Sequence, residues 1–290
     1  MAEITAQMVK ELREITGAGM MECKKALVEA EGIVEKAVDV LRTRGLAAVA
    51  KKAGRATNEG LVVAAISGDA KSAALVEVNC ETDFVSRNET FAAFAAKIAE
   101  AVLANAPSDL EDLKASRIDG ETVEALVTDV IHTIGENTQV SRFAYRTVNE
   151  GGFSSYIHGG GRIGIIVEFA FSNPGTVNNE TFIALGKDVA MQVAAANPGA
   201  VSRDSFAPEV IEHEKEIYKA QAAESGKPEN IQEKIAQGRL EKFFNESALV
   251  EQAFIKDPDI TVRGYIEKAS KEIGDDITVV AFERFALGQQ

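Results

Sequence analysis

The segment Thr82-Asp83-Phe84-Val85 places a carboxylate beside an aromatic ring, in the short connection between a predicted strand and a predicted helix. Residues 60–107 and 151–198 repeat one another without a gap, and 14 of the 48 aligned positions are identical. At the equivalent place the second copy reads Asn173-Pro174-Gly175-Thr176, an ordinary turn sequence. Composition alone slightly favours a Phe84 ring tucked under the helix. The repeat favours an exposed ring that contacts another molecule, because Gly175 needs no aromatic beneath it.

A second candidate for binding is the pair Met20-Met21, which lies in a Gly-rich corner between two predicted helices. One interpretation is that both side chains fill the core. The other is an exposed docking corner, and we favour it because two adjacent residues of a helix cannot both face one small core. Methionine is also unusually adaptable at binding surfaces.

The chain shows no recognisable set of catalytic residues. His158-Gly159-Gly160-Gly161 is similar to the oxyanion loop of esterases, but the nucleophile elbow Gly-x-Ser-x-Gly is absent and a hairpin turn is the plainer interpretation. Neither a phosphate-binding loop nor a dinucleotide fingerprint occurs. Cys23, Cys80 and the three histidines lack the spacing of a metal site. We therefore expect a protein that is not an enzyme and that binds no cofactor and no metal.

The elements that position these segments begin with a three-helix unit over residues 1–54. Apolar residues recur at helical spacing, as in Val9, Leu12 and Ile15. Gly17 and Gly19 are predicted to end the first helix, and the second to stop near Gly32. The third is predicted to end at Gly45 and to be followed by a basic linker over residues 51–55.

Each repeat predicts a β-hairpin followed by a helix. The predicted strands cover residues 61–66 and 73–78 in the first copy, and 153–158 and 163–171 in the second. In the first copy, Phe91, Phe94 and Ile98 fall on one face of the following helix. Ser86-Arg87-Asn88-Glu89 predicts a capping box at the start of that helix.

The duplication resumes where Ile134-Gly135-Glu136-Asn137 returns as Ile273-Gly274-Asp275-Asp276, after 48 extra residues in the second copy. The insertion is predicted at 208–244, as a polar antiparallel helical hairpin broken at Ser225-Gly226-Lys227-Pro228. Its sparse apolar residues favour an interaction role over a solvated decoration. We thus expect an α+β fold with a duplicated core, divided into subdomains over 55–150 and 151–290.

Composition restricts the function classes. Hydrophobic residues make up 46% of the chain and charged residues 26%, as in soluble globular proteins. No apolar run is long enough to cross a bilayer, and the start Met-Ala-Glu-Ile-Thr lacks the features of a signal peptide. We therefore expect a cytoplasmic protein without a membrane partner. The net charge of -14 counts against direct nucleic-acid binding.

Two of these segments carry a resemblance to a known family. Residues 12–27, with Thr16-Gly17-Ala18-Gly19-Met20-Met21, and residues 77–88, around Thr82-Asp83-Phe84-Val85, resemble the two signatures of the bacterial elongation factor Ts family. The resemblance covers essentially the whole chain. It implies an exchange factor that releases GDP from elongation factor Tu, GDP-bound or nucleotide-free, and so allows GTP to rebind during polypeptide elongation.

The resemblance also implies roles for particular residues. The three-helix unit would be a ubiquitin-associated-like domain that docks on the GTPase domain of the partner through Arg13, Met20 and Met21. The segment 82–85 would enter the nucleotide region, where Asp83 and Phe84 disturb the groups that hold magnesium. His158 and Lys187 would face the third domain of the partner, and the hairpin would support a homodimer.

A rival hypothesis is an adaptor without exchange activity. In it the three-helix unit binds a ubiquitin-like or helical partner and the helical hairpin oligomerises. An enzyme of unknown type is a more distant third.

Overall fold

The N-terminal part of the chain is a three-helix bundle. The computed structural model describes residues 4–16, 18–224 and 226–289, with the backbone alone over 46–51. The helices are α1 (Ala6–Thr16), α2 (Met20–Glu29) and α3 (Val34–Lys52). The predicted three-helix unit is confirmed, whereas the predicted helix end at Gly17 lies outside the described residues. Apolar residues at helical spacing are buried between the helices, among them Val9, Leu12, Cys23, Ala26, Leu27 and Leu41.

The third helix continues through Gly45 to Lys52, so the predicted helix end and the predicted linker from residue 51 were wrong. Glycine inside a helix costs about 1 kcal/mol relative to alanine, and packing against α7 (Val123–Ile134) offsets that cost. A Cβ at Gly45 would lie 3.5 Å from the Thr128 Cγ2 methyl, an ordinary van der Waals contact, so the helix packs beside Thr128 at this position. Lys52 Nζ also donates to the Ile131 carbonyl at 3.2 Å.

The first copy of the repeat forms a three-stranded antiparallel sheet with helices on one face. Strand β2 (Ser72–Cys80) is central, between β1 (Glu59–Ile66) and β5 (Thr138–Thr147). Apolar side chains of α5 and α7 pack on the sheet, as the periodicity of the helical segment predicts. The elements are β1 (Glu59–Ile66), β2 (Ser72–Cys80), α4 (Asp83–Ser86), α5 (Glu89–Asn105), α6 (Leu110–Ala115), β3 (Arg117–Ile118), β4 (Glu121–Thr122), α7 and β5 (Thr138–Thr147).

The second copy repeats this arrangement, with β7 (Ile163–Ala170) between β10 (Thr278–Ala286) and β6 (Gly152–His158). Its helices α8 and α11 cover the outer face of the sheet. The elements are β6 (Gly152–His158), β7 (Ile163–Ala170), a 3₁₀ helix (Pro174–Asn178), α8 (Glu180–Ala196), a 3₁₀ helix (Arg203–Ser205), α9 (Pro208–Ala223), α10 (Glu229–Ser247), a 3₁₀ helix (Leu249–Glu251), β8 (Ala253–Phe254), β9 (Asp257–Thr261), α11 (Val262–Ile273) and β10 (Thr278–Ala286).

Equivalent residues have equivalent roles in the two copies. Gly60 and Gly151 both have positive φ, at 151° and 121°. A Cβ at Gly60 would lie 2.2 Å from the Val78 carbonyl oxygen, and one at Gly151 would lie 1.9 Å from that of Phe169. Both glycines are therefore required where the two strands of each hairpin approach closely. The predicted duplication of an α+β unit is confirmed.

The inner faces of the two sheets pack against each other. Along each strand one set of side chains faces the helices, and the alternate set meets the sister sheet. Arg142 strengthens the junction, because it bonds buried Glu77 at 2.8 Å, donates to the Ala286 carbonyl at 3.0 Å and stacks 4.3 Å from the Phe285 ring centroid. The shared apolar cluster consists of Val62, Ala73, Leu75, Phe153, Ile166 and Phe285.

The predicted insertion is a pair of helices, α9 and α10, that pack on each other. It runs three residues beyond the predicted end at Phe244, and Ser225, within the predicted break, lies outside the described residues. Phe206, Phe243 and Phe244 cluster at its base, where the Arg203 guanidinium lies 4.8 Å from the Phe244 ring centroid. None of the helices over 4–16, 18–224 and 226–289 is long and apolar enough to cross a membrane.

Replacing Gly151 with alanine should destabilise the protein by more than about 2 kcal/mol, because the new methyl would collide with backbone at a positive φ. Urea unfolding followed by circular dichroism measures the effect. Gly68→Ala is the matched control, since nothing lies within 4 Å of a Cβ at that turn. Equal stability of the two variants would contradict this account of the hairpin.

A candidate protein-binding site around Phe84

The Phe84 side chain is 84% exposed, although its neighbours Val85 and Cys80 are buried. The predicted exposure of this ring is therefore confirmed. The segment is not an open loop as expected, because Asp83–Ser86 forms one turn of helix, α4. We call residues 82–86 the Phe84 turn. Since adjacent residues of a helix point about 100° apart, anchoring Val85 in the core directs Phe84 outward.

Thr82 is the N-cap of this turn. Its backbone is extended, with φ -126° and ψ 156°, and its Oγ1 accepts a hydrogen bond from the Val85 N–H at 3.4 Å. The predicted capping box over residues 86–89 was wrong. Ser86 belongs to the turn itself, where its hydroxyl donates to the Asp83 carbonyl at 3.0 Å. Asn88 caps α5 instead, accepting from the Thr90 N–H at 2.8 Å.

A carboxylate distant in sequence holds the N-cap. Glu136 accepts hydrogen bonds from the Thr82 N–H at 3.0 Å and from the Thr82 hydroxyl at 2.7 Å. Cys80 Sγ donates to the Thr82 carbonyl at 3.2 Å. Burial, together with the nearby negative charge of Glu136, raises the pKa of the Cys80 thiol to about 12, so it remains a protonated donor. These contacts come from the last residue of β2, Cys80, and from Glu136 in the connection that follows α7, and they fix where the turn begins.

Asp83 occupies the first position of the turn, where a negative charge is favourable to a helix. Its Oδ2 lies 3.0 Å from Arg87 Nη2, and both side chains are exposed. Exposed ion pairs contribute about 0–1 kcal/mol, so a partner can displace Arg87 at little cost. The turn therefore presents an apolar ring and an available carboxylate side by side.

The equivalent turn in the second copy, residues 173–177, is held by the same kind of contact. We call it the sister turn. Asp275 accepts from the Asn173 N–H at 3.0 Å and from the Thr176 hydroxyl at 2.7 Å. It also accepts from the N–H and hydroxyl of Ser172. Burial opposes ionisation of Asp275, but these hydrogen bonds outweigh it and lower its pKa to about 2. The sister turn has the same support without an aromatic ring.

Sequence reasoning missed Glu136 as a member of the site. Its position was noted only as a landmark of the repeat, in which Glu136 matches Asp275. The signal available was that both copies carry an acid directly after a glycine. The structure gives that pattern its meaning, since Gly135 and Gly274 end α7 and α11 in the left-handed conformation and the next residue turns back toward the capped turn.

The methionine corner, formed by Met20 and Met21 at the start of α2, is also exposed. The two side chains are 56% and 65% exposed, which confirms the expectation that they do not fill the core. Ile15 and Arg13 near the end of α1 are exposed as well. The bundle therefore offers a solvent-facing apolar surface next to a cation.

His158 and Lys187 lie on the second copy, and both are exposed. His158 ends β6, with its Nδ1 3.1 Å from the Tyr156 hydroxyl. Lys187 lies on α8, which packs closely on β6 because Gly186 leaves room for Ser154. The predicted residues thus occupy three different elements of the fold: the helical bundle, the Phe84 turn and the second sheet with its helix.

In the part of the chain that the structure describes, no three side chains of the His, Cys, Asp or Glu type come together as a metal site would require. The exposed groups of the Phe84 turn are an apolar ring and the Asp83 carboxylate.

Comparison with known proteins shows which family the chain belongs to. The family described as Elongation factor TS matches residues 81–289. The protein named Elongation factor Ts of Clostridium perfringens (strain SM101 / Type A) is 50% identical, over 99% of this chain and 93% of its own length. That of Nitratidesulfovibrio vulgaris (strain DP4) is 48% identical, over 99% and 96%. The chain belongs to the elongation factor Ts family, as the two signature segments predicted.

The carboxylate of the sister turn makes stability depend on pH in a defined window. The Asp275 pKa is about 2 in the folded protein against 3.8 as its ordinary value. The unfolded chain therefore binds the proton first, and the contribution of Asp275 is lost as pH falls from about 4 toward 2. Asp275→Asn should be less stable than wild type at pH 7, and the difference should shrink through that window.

Unfolding by urea at several pH values measures this difference. Asp276→Asn is the control, because Asp276 is the exposed neighbour of buried Asp275. A difference between wild type and Asp275→Asn that stays constant from pH 7 to pH 2 would contradict the assignment.

Proposed function

We propose that the chain promotes release of GDP from elongation factor Tu and so allows GTP to rebind during polypeptide elongation. Membership of the elongation factor Ts family supports this proposal. The observation that carries it is Phe84, a large apolar ring 84% exposed on an ordered turn. A large aromatic side chain contributes strongly to an interface when a partner buries it. No covalent bond is made or broken, so the role is that of an exchange factor and not of an enzyme.

Phe84 acts in this proposal as a wedge near the magnesium site of the partner. Magnesium demands near-ideal octahedral geometry from hard oxygen ligands, so small displacements of its ligands are unfavourable. Burial of the Phe84 ring between partner elements contributes roughly 2–3 kcal/mol and offsets such a displacement. The Asp83 carboxylate, released from exposed Arg87, competes for hydrogen bonds that maintain the nucleotide pocket.

The factor does not need to touch the nucleotide. It needs only to bind the empty or distorted partner more tightly than the GDP-loaded form, because the coupling between the two ligands is reciprocal. A coupling of about 4 kcal/mol corresponds to a roughly thousandfold weaker binding of GDP. The partner is thus engaged in both its GDP-bound and its nucleotide-free forms.

Other exposed residues supply affinity in this proposal. Residues 1–54 form the docking domain, in which Arg13, Met20 and Met21 contact the GTPase domain of the partner. Residues 55–150 carry the Phe84 turn, including Thr82 and Val85, which support the ring. Residues 151–290 contribute His158 and Lys187, which face the third domain. The hairpin over 208–244 is proposed as a homodimer contact, in line with its few buried side chains.

Replacing Phe84 with alanine should slow release of a fluorescent GDP analogue from elongation factor Tu by about 10- to 100-fold at saturating factor, because the apolar burial of the wedge is lost. Stopped-flow fluorescence measures the rate. Thermal unfolding of the variant should match that of wild type, since the ring makes little contact with its own chain.

Ile255→Ala is the matched control, because it removes an exposed apolar side chain outside the proposed contacts. Unchanged release by Phe84→Ala would remove the wedge from the mechanism. If wild type itself does not accelerate release, and excess GDP does not dissociate the complex, the adaptor hypothesis replaces exchange.

Replacing both Met20 and Met21 with alanine should raise the concentration of factor needed for half-maximal release by about tenfold, through loss of buried apolar surface. The rate at saturating factor should change less, since the Phe84 turn is intact. A titration of factor in the same release assay separates the two quantities. Unchanged half-saturation would exclude the methionine corner from docking.

A further inference from the structure

We propose that Glu136 is the positioning residue for Phe84, holding the Phe84 turn in the helical conformation that presents the ring before any partner is bound. The inference rests on the proposed exchange function. Glu136 lies in the connection between α7 and β5, on a different segment from the Phe84 turn, and its bonds are to Thr82. Its action on a partner is therefore indirect, through Thr82.

The first step is that Glu136 accepts hydrogen bonds from both donors of Thr82, the N-cap residue. It accepts from the Thr82 N–H at 3.0 Å and from the hydroxyl at 2.7 Å. A hydroxyl has one proton, so donation to Glu136 leaves the Oγ1 lone pairs free, and one accepts from the Val85 N–H at 3.4 Å. Glu136 thus orients the cap that begins α4.

The second step is that α4 cannot be stable alone. It has four residues, and nucleating a first helical turn is unfavourable in isolation. Its order comes from contacts outside the turn: burial of Val85, donation by Cys80 Sγ to the Thr82 carbonyl, and the two bonds to Glu136. Hydrogen bonds to a charged acceptor are the strongest of these polar contacts.

The third step is that Glu136 is itself fixed. It follows Gly135, whose φ of 87° ends α7. It precedes buried Asn137, whose N–H donates to Glu81 Oε1 at 2.6 Å and whose Nδ2 donates to the Arg55 carbonyl at 2.9 Å. The two connections, β2 to α4 and α7 to β5, are therefore joined by carboxylates in both directions, Glu136 to Thr82 and Glu81 to Asn137.

The consequence for function is preorganisation. A ring on a disordered segment would have to be ordered when the partner binds, and that ordering would subtract from the energy available to distort the partner. The methionine corner docks independently of this turn. Loss of Glu136 should therefore lower the maximal rate of GDP release and leave the half-saturating concentration of factor nearly unchanged.

The repeat supplies a matched control within the same chain. Asp275 supports the sister turn through the same kind of contacts, but that turn carries Gly175 where the first copy carries Phe84. Removing Asp275 disturbs a comparable amount of structure without touching the wedge. An effect common to both variants is structural, and an effect of Glu136 alone is positional.

The release assay compares Glu136→Ala with Asp275→Ala, each verified as folded by circular dichroism. Glu136→Ala should reduce the maximal rate about tenfold, as expected for loss of a charge-assisted hydrogen bond, with half-saturation within about twofold. Asp275→Ala should retain the wild-type rate. An unchanged rate for Glu136→Ala, or an equal loss in both variants, would overturn the inference. Should Glu136→Ala fail to fold, isosteric Thr82→Val removes the hydroxyl and should show the same split.

A second measurement needs no partner. The chain contains no tryptophan, so Phe84→Trp introduces a single fluorescent reporter at the ring position. Adding Glu136→Ala should lower the fluorescence anisotropy of that reporter, and adding Asp275→Ala should not. Unchanged anisotropy overturns the positioning role, even if Phe84→Ala shows that the wedge is needed. Lowered anisotropy, with no effect of Phe84→Ala on release, removes the wedge from the proposed mechanism and leaves the positioning role intact.

Discussion

The packing of the two sheets against each other constrains the rest of the core. Each sheet buries one face under its own helices and the other against its sister, so most residues of the central strands β2 and β7 are committed to a core. Such strands tolerate little change, because interiors are packed to the density of crystals. The connections at the ends of the strands are not bound by this constraint. The two copies differ in character at such connections, in residues 82–85 against 173–176 and in the inserted hairpin.

The Phe84 turn and the sister turn are held by the same kind of contact but expose different residues. In both copies a glycine in the left-handed conformation ends a helix and an acid follows, Glu136 or Asp275, which accepts hydrogen bonds from the turn opposite. The support is thus a property of the fold unit that both copies share. What distinguishes the first copy is the residue that the supported turn exposes. A rigid, uncommitted position is well suited to carry a partner-binding side chain, since binding there requires little ordering.

Met20, Met21 and Phe84 leave more than half of their surface exposed to solvent. They lie on elements anchored by buried neighbours, Cys23 beneath the methionine corner and Val85 beneath the ring. These candidate binding residues lie on a helix start and on a connecting turn, and the buried core holds both elements in place. The strongly acidic composition is consistent with recognition through apolar contacts and specific charges, and it disfavours phosphate backbones as partners.

The sequence by itself determined much of the fold and of the candidate site. The repeat, the hairpins and the exposed Phe84 follow from local patterns and from comparing two copies of one unit, because equivalent cores require equivalent apolar positions. The helix through Gly45, the helical form of the Phe84 turn and the absence of a capping box at Ser86 did not follow. The first two depend on residues distant in the chain: Thr128 beside Gly45, and Glu136 bonded to Thr82. The third follows from the turn, which takes up the Ser86 hydroxyl and leaves Asn88 as the cap. Local propensity is weak at such positions, so tertiary contacts decide the conformation.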